Sequence, residues 1–141
     1  MTSHAPRLPH LTHIAEPPGV APATGYTQVV TGTGRLVAVS GQVAFDEQRR
    51  LVGVGDPKAQ ARQVFENLSR CLAAAGAGFA DVIKLTYFVT DIAFMPAVRE
   101  ARDEYVGSTP LPASSAMQVA ALFLPEVLIE IEALALVPAR P

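Results

Sequence analysis

Apolar positions recur with helical spacing in two stretches of the chain. In the longer stretch they return every three or four residues, as in an amphipathic helix. They are Ala61, Val64, Phe65, Leu68, Cys71, Leu72 and Ala75. Asp56 is suited to cap this helix and Pro57 to occupy its first position. A second helix is predicted over Pro96 to Val106, with Gly107 beyond its end.

Alternating and β-branched stretches predict strands on both sides of these helices. They cover residues 27–30, 36–42, 82–90, 114–122 and 127–137, and a further short strand is predicted around 51–53. From Tyr26 onward the order is therefore ββ(β)αβαββ, which indicates an α+β fold with two helices on one face of a mixed sheet.

The first 25 residues show neither the helical spacing nor the strand alternation of apolar positions. They are rich in proline and contain all three histidines, His4, His10 and His13, whose spacing fits no helical pair of metal ligands. We therefore predict an irregular N-terminal arm over residues 1–25, a single domain over 26–138, and no metal site.

Composition narrows the classes of function. Half of the 141 residues are apolar, which is enough for one domain with a core. The net charge of -2 disfavours nucleic acid as a partner. No apolar run approaches the roughly 20 residues that span a bilayer, and the first residues carry no signal pattern, so a cytoplasmic protein without membrane contact is expected. The single Cys71 falls on the helix stripe and is interpreted as a core thiol.

Two carboxylates interrupt the apolar pattern of the last strand. Val127, Ile129, Ile131, Ala133 and Ala135 share one face, and Glu130 and Glu132 lie among leucines on the other. A carboxylate taken out of water needs a partner or a chemical role. Glu132 is interpreted as a surface or interface ion-pair partner, and Glu130 as the candidate for chemistry.

The segment around these residues resembles the signature of a known family. Residues 112–120 lead through Leu124-Pro125 into 127–135, and Ser40-Gly41-Gln42, Asn67 and Val82-Ile83-Lys84 match as well. The pattern is similar to that of the RidA (reactive intermediate deaminase, YjgF-like) family, also described as L-PSP endoribonucleases and translation inhibitors. The resemblance implies a chorismate-mutase-like α+β sandwich, assembled as a homotrimer with a central β-barrel and with pockets between subunits.

The resemblance also implies a reaction. Members of the family use water to hydrolyse a 2-imino acid or its enamine tautomer to a 2-oxo acid and ammonia, without a metal or an organic cofactor. By resemblance, Glu130 orients the water and Tyr26 and Ser40 line the pocket. Arg99, Ser114 and Ala116 complete the expected set of substrate-binding residues.

Ser114 departs from the family pattern. Where well-studied members have Pro-Ala-Arg-Ser, this chain has Pro112-Ala113-Ser114-Ser115, so the arginine that grips the substrate carboxylate is absent. An imine without a carboxylate is one expectation. Another is that Arg99 supplies the charge, although we prefer to interpret Arg99 as an exposed residue paired with Asp103 four positions on.

Other functions are compatible with the same sequence. Hydrolysis of an amide or a carbamate stays open for a divergent member. A non-catalytic trimer that binds a small metabolite or acts as a chaperone is the main alternative, and an endoribonuclease or translation inhibitor is the least favoured.

Overall fold

The computed structural model describes residues 10–107 and 110–139. Within this part of the chain two helices pack on one face of a mixed sheet, so the predicted α+β fold is confirmed. The elements are β1 (Leu11–Ile14), β2 (Val29–Gly32), β3 (Arg35–Gln42), α1 (Pro57–Ala74), β4 (Val82–Val89), α2 (Met95–Val106), β5 (Ala113–Gln118) and β6 (Ile129–Val137).

Residues next to α1 in the sequence explain where this helix begins and where it ends. The Asp56 carboxylate accepts a hydrogen bond from the Ala59 N–H at 3.1 Å, and Pro57 occupies the first helical position. The chain leaves the helix through Gly76, whose φ of 74° suits a residue without Cβ. The apolar stripe of α1 is buried against the sheet, which explains why the predicted helix forms here.

The main sheet has the strand order β3-β6-β4-β5. β6 runs antiparallel to both of its neighbours, whereas β4 and β5 are parallel and are connected through α2. This parallel connection needs a crossover, and α2 provides it on the same side of the sheet as α1. β5 therefore lies at one edge of the sheet.

The two faces of the sheet differ in burial. The helix face carries apolar side chains from β3, β4 and β6 that form the core with α1. The other face, which we call the open face, has exposed apolar side chains, among them Leu36 at 62%, Leu134 at 39% and Met117 at 38%. Glu130 and Glu132 lie on this open face, as their alternation with buried residues predicts.

Two sequence predictions need correction. The N-terminal arm is not irregular throughout, because β1 pairs antiparallel with β2 in a separate two-stranded sheet. His10 precedes β1, and its Nε2 lies 2.7 Å from the carbonyl oxygen of Leu136 and 3.0 Å from Asp81 Oδ1. The predicted strand around 51–53 is reduced to a single bridge between Phe45 and Leu51. His4 lies outside the described residues.

None of the helices in the described ranges is both long and apolar enough to cross a membrane.

Candidate functional site

A cavity of about 260 Å³ lies on the helix face, between α2, the edge strand β5 and the turn that precedes β2. It contains four of the six residues that the sequence proposed. The complete lining is Thr24, Gly25, Tyr26, Tyr87, Met95, Arg99, Arg102, Ser114 and Ala116.

Thr27 holds the turn against the start of β5. Its hydroxyl donates to the Leu111 carbonyl oxygen at 2.6 Å, and its N–H donates to the Pro112 carbonyl oxygen at 3.1 Å. Thr27 is buried, so these bonds are shielded from water and fix the segment firmly. They keep Tyr26 at the mouth of the cavity, where 36% of its surface is exposed.

Arg102 is a cavity residue that the sequence pattern did not single out. It is buried, with 7% of its surface exposed. Its Nη1 donates to the Gly25 carbonyl oxygen at 2.8 Å, and its Nε and Nη2 lie 3.1 and 3.0 Å from Asp103 Oδ1. Its spacing of three residues from Arg99 on a predicted helix was the available signal, because such positions are neighbours on one helix face.

Arg99 is exposed, as expected, but the predicted ion pair with Asp103 is wrong. Asp103 is paired with Arg102 instead. Within the described part of the chain, Arg99 has no hydrogen bond and no ion pair, although it lines the cavity. Its guanidinium is therefore available to a ligand.

Tyr87 forms part of the cavity wall from the central strand β4. Only 3% of its surface is exposed, and its hydroxyl has no hydrogen-bond partner among the described residues. Burial raises the pKa of this phenol above its ordinary value, and the nearby Arg102 guanidinium partly opposes the rise. The hydroxyl is thus a neutral donor at physiological pH.

Ser40 and Glu130, the two remaining predicted residues, lie elsewhere. Ser40 lines a shallow depression formed by β3 and the end of α1. Glu130 is half-buried on β6, and its carboxylate packs against Gly41, the residue next to Ser40. No ion pair or hydrogen bond of the Glu130 carboxylate is found within residues 10–107 and 110–139.

Strand register explains why the six residues form two groups. Ser114 pairs with Leu85 and Ala116 pairs with Tyr87, which places both on the helix face. Glu130 pairs with Phe88, whose side chain points to the open face. One chain therefore presents Ser114 and Glu130 in opposite directions. We refer to Tyr26, Arg99, Ser114 and Ala116 as the α2 group and to Ser40 and Glu130 as the β6 group.

A buried amide positions the β6 group. Gln60 on α1 is fully buried, and its Nε2 donates to the carbonyl oxygens of Gly53 and Glu126 at 3.1 and 2.9 Å. Its Oε1 accepts from the Leu128 N–H at 3.0 Å. These three bonds fix the chain where β6 begins, two residues before Glu130.

Asn67 plays a similar role for the segment after Ser40. Its Nδ2 donates to the carbonyl oxygens of Val43 and Phe45 at 3.0 and 2.9 Å. An open groove of about 700 Å³ lies beside this segment, and Cys71 borders it as a half-buried free thiol. Cys71 packs against the core on its other side, in keeping with the predicted core position.

No group of three or more His, Cys, Asp or Glu side chains in the described residues could hold a metal ion.

The family model described as Endoribonuclease L-PSP matches residues 17–137. The chain is 36% identical over 119 residues to a 3-aminoacrylate deaminase RutC of Acinetobacter baylyi, covering 84% of this chain and 93% of that one. It is 31% identical over 109 residues to a 2-iminobutanoate/2-iminopropanoate deaminase of Dermatophagoides farinae, covering 77% of this chain and 84% of the relative.

Among solved structures, the chain is similar to the Rid family protein YyfB of Yersinia pestis, described as a protein of unknown function. The TM-score is 0.83 and the sequence identity 34%, and the match covers 91% of this chain and 99% of the other.

Proposed function

The chain belongs to the endoribonuclease L-PSP family, which includes the RidA/YjgF proteins, and we propose that it hydrolyses the C=N bond of a small imine or enamine and releases ammonia. Two relatives that it resembles along most of their length are named as deaminases of imino acids or of aminoacrylate. The proposal extends their class of reaction to this chain.

The observation that carries the proposal is the unpaired carboxylate of Glu130. It is half-buried on the open face, packs against Gly41 and has no partner in the described part of the chain. An ionised carboxylate in such a place is costly unless it serves a ligand or a reaction. We therefore assign to Glu130 the role of general base for water.

The reaction balances without a redox partner. Glu130 takes a proton from water as the oxygen adds to the imine carbon, and this proton is passed on to the nitrogen. The carbinolamine hydroxyl then gives its proton to Glu130 as the C–N bond breaks, so that a carbonyl forms and the nitrogen, which receives this proton in turn, leaves as ammonia. Neither electrons nor groups are transferred to a third molecule, and no cofactor is required. Ser40 and Tyr26 contribute hydroxyls that hold the substrate.

We further propose that the complete site forms between copies of the chain. The α2 group and the β6 group point to opposite faces of one sheet, so a neighbouring copy has to supply the missing group. The exposed apolar residues of the open face offer a surface for such an assembly. A homotrimer whose sheets form a central barrel satisfies both requirements. The free thiol of Cys71 suits a reducing compartment, and we place the protein in the cytoplasm.

Turnover of freshly generated imines tests the proposal. Ammonia release is measured with 2-aminoacrylate and with an uncharged imine, for the wild type, for Glu130→Gln and for Glu132→Gln. We expect Glu130→Gln to lower the rate about 10²- to 10⁴-fold, which is the usual contribution of a general base. Glu132 is the matched control, because it is an exposed carboxylate two residues away on the same face.

A wild-type rate no higher than that of buffer, for the acid and for the uncharged imine alike, would overturn the proposal. Tight binding of a metabolite without turnover would then favour the non-catalytic alternative. Cleavage of RNA that survives Glu130→Gln would favour the endoribonuclease activity in the family's description.

A further inference from the structure

A groove of about 700 Å³ lies between α1 and the segment that follows β3, and we call it the α1 groove. It is more than twice as large as the cavity beside α2. Its volume falls in the range at which proteins bind small molecules.

The α1 groove begins next to Glu130. Gly41 lines the groove, and a Cβ at this position would lie 2.8 Å from Cδ of Glu130. The Glu130 carboxylate and the groove therefore share Gly41 as a boundary. A substrate whose reacting carbon faces Glu130 can extend its remaining atoms past Gly41 into the groove.

Arg49 lies in the turn that borders the groove, and its backbone is strained. Its φ of 61° is the one positive value found for a residue other than glycine in residues 10–107 and 110–139. This conformation is uncommon for a residue with a Cβ and costs free energy, whereas glycine adopts it freely. An arginine in such a place points to a role for its side chain.

The Arg49 guanidinium stacks on a ring and is not held by a charge. It lies 5.7 Å from the centroid of the Phe45 ring, and it makes no hydrogen bond and no ion pair within the described ranges. Asp46 in the same turn pairs with Arg50 instead, at 3.2 Å. One face of the Arg49 guanidinium therefore covers a ring, while the residue as a whole stays exposed.

A second ring extends this aromatic surface. Phe123 meets Phe45 edge to face, with the ring centroids 5.9 Å apart and the planes at 80°. The Phe123 side chain is exposed. Rings and guanidinium planes of this kind attract a further aromatic ring through edge, offset and cation–π contacts.

The polar side chains on the α1 wall of the groove spend their donors on the protein. Asn67 Nδ2 donates to the carbonyl oxygens of Val43 and Phe45, at 3.0 and 2.9 Å. Gln63 Nε2 donates to Asn67 Oδ1 at 2.9 Å. This wall therefore offers flat amide groups and few free donors, which suits an uncharged planar group.

We propose that the α1 groove is a subsite for an aromatic group carried by the substrate, with Arg49 and Phe45 as the binding residues. The inference rests on the proposed function, and it names an imine or enamine with an aromatic substituent as the substrate. The reacting carbon lies at Glu130, and the aromatic ring lies against the exposed guanidinium of Arg49.

Binding can be measured without turnover, by NMR titration with two uncharged ketones. Benzylacetone carries an aromatic ring, and its cyclohexyl analogue carries an apolar ring of similar size without a π face. We expect the wild type to bind benzylacetone about three- to fivefold more tightly than the analogue, which is the contribution of an exposed cation–π contact.

Arg49→Gly should make the two affinities equal by weakening the binding of benzylacetone alone. Its thermal midpoint should not fall, because glycine adopts a φ of 61° without strain. Arg49→Asn should give the same result with a stiffer turn, because asparagine also tolerates a positive φ. Arg50→Gln is the matched control, since it removes the neighbouring positive charge, which is paired with Asp46, and should keep the preference.

Equal binding of the two ketones by the wild type would overturn the subsite. So would an equal loss of the preference in Arg50→Gln and Arg49→Gly. A lower thermal midpoint in Arg49→Gly with the preference intact would also overturn it, because Arg49 would then only brace the turn.

The outcomes separate the two proposals. An Arg49-dependent preference for benzylacetone in a protein that hydrolyses no imine would support the subsite and contradict the function. Hydrolysis of imines together with equal binding of the two ketones would support the function and contradict the subsite.

Discussion

Ser114 and Glu130 lie two strands apart in one sheet, and their side chains point to opposite faces of it. A cavity that uses both must combine them from different copies. Co-expression of Ala116→Phe, which fills the cavity beside α2, with Glu130→Gln tests this directly. Each variant alone should be inactive. In a proposed trimer that contains both variants, one of the three shared sites combines two intact halves, so about a third of the wild-type ammonia release should return.

The mixed assemblies are isolated with two different affinity tags, and assemblies carrying one variant only serve as the reference. Activity no higher than that of the reference would mean that each site lies within a single chain.

Gly41 leaves room for the carboxylate of Glu130. A Cβ at this position would lie 2.8 Å from Cδ and 3.0 Å from Cγ of Glu130. Gly41→Ala should therefore displace the carboxylate, and we expect kcat for imine hydrolysis to fall about 10- to 100-fold. The thermal midpoint should hardly change, because the displaced atoms belong to a flexible side chain. Gly78→Ala is the control, since open space surrounds that position. An unchanged kcat in Gly41→Ala would argue against Glu130 as the base.

Gln60 makes three hydrogen bonds from a fully buried position. Gln60→Leu leaves the Glu126 carbonyl oxygen and the Leu128 N–H without this partner, whereas the Gly53 carbonyl oxygen still accepts from the Asp56 N–H. We expect the free energy of unfolding to fall by about 2–4 kcal/mol. Urea denaturation measures the change. Gln63→Leu, a half-buried position on the same helix, should cost much less. Equal losses in the two variants would contradict the role of Gln60 in holding the start of β6.

Glu66 links α1 to α2 and makes stability depend on pH. Hydrogen bonds from Arg70 and then from the Tyr105 hydroxyl, at 3.0 Å each, hold the pKa of Glu66 below its ordinary value of 4.5. Because the pKa is lower in the folded state, Glu66 stabilises the fold above pH 4.5, and this contribution is lost as the pH falls through the folded-state pKa.

The Glu66→Gln variant should therefore lose less stability than the wild type when the protein is acidified below about pH 4. The effect is small, because the carboxylate is partly exposed. Urea midpoints at neutral and at acidic pH measure it, with Glu126→Gln as the control. Parallel midpoint curves for the wild type and Glu66→Gln would contradict the prediction.

Elements with strong local signals were predictable from the sequence. The cap at Asp56 and the apolar stripe of α1 lie within one short stretch of chain, and the alternation along β6 assigned Glu130 and Glu132 to the open face correctly. β1 carries no comparable signal. It has four residues, and its partner strand and the contact from His10 to the Leu136 carbonyl oxygen come from distant parts of the chain.

The site was harder to predict than the fold. The strand pattern suggested Glu130 and the family resemblance suggested Arg99, but the division into two groups depends on the register between β4 and its neighbours, which one sequence does not reveal. Arg102 was missed because an arginine on a helix is usually solvated. Its burial follows from the bond to the Gly25 carbonyl oxygen, 77 residues away in the chain.

Because of that bond, Arg102 holds the turn before β2 as well as lining the cavity. A substitution at Arg102 that altered which ligands are accepted would also release the turn that carries Tyr26. Changes of ligand selectivity among diverging relatives should therefore arise more readily at positions 99 and 114. A charge can be gained or lost there without disturbing the walls of the cavity.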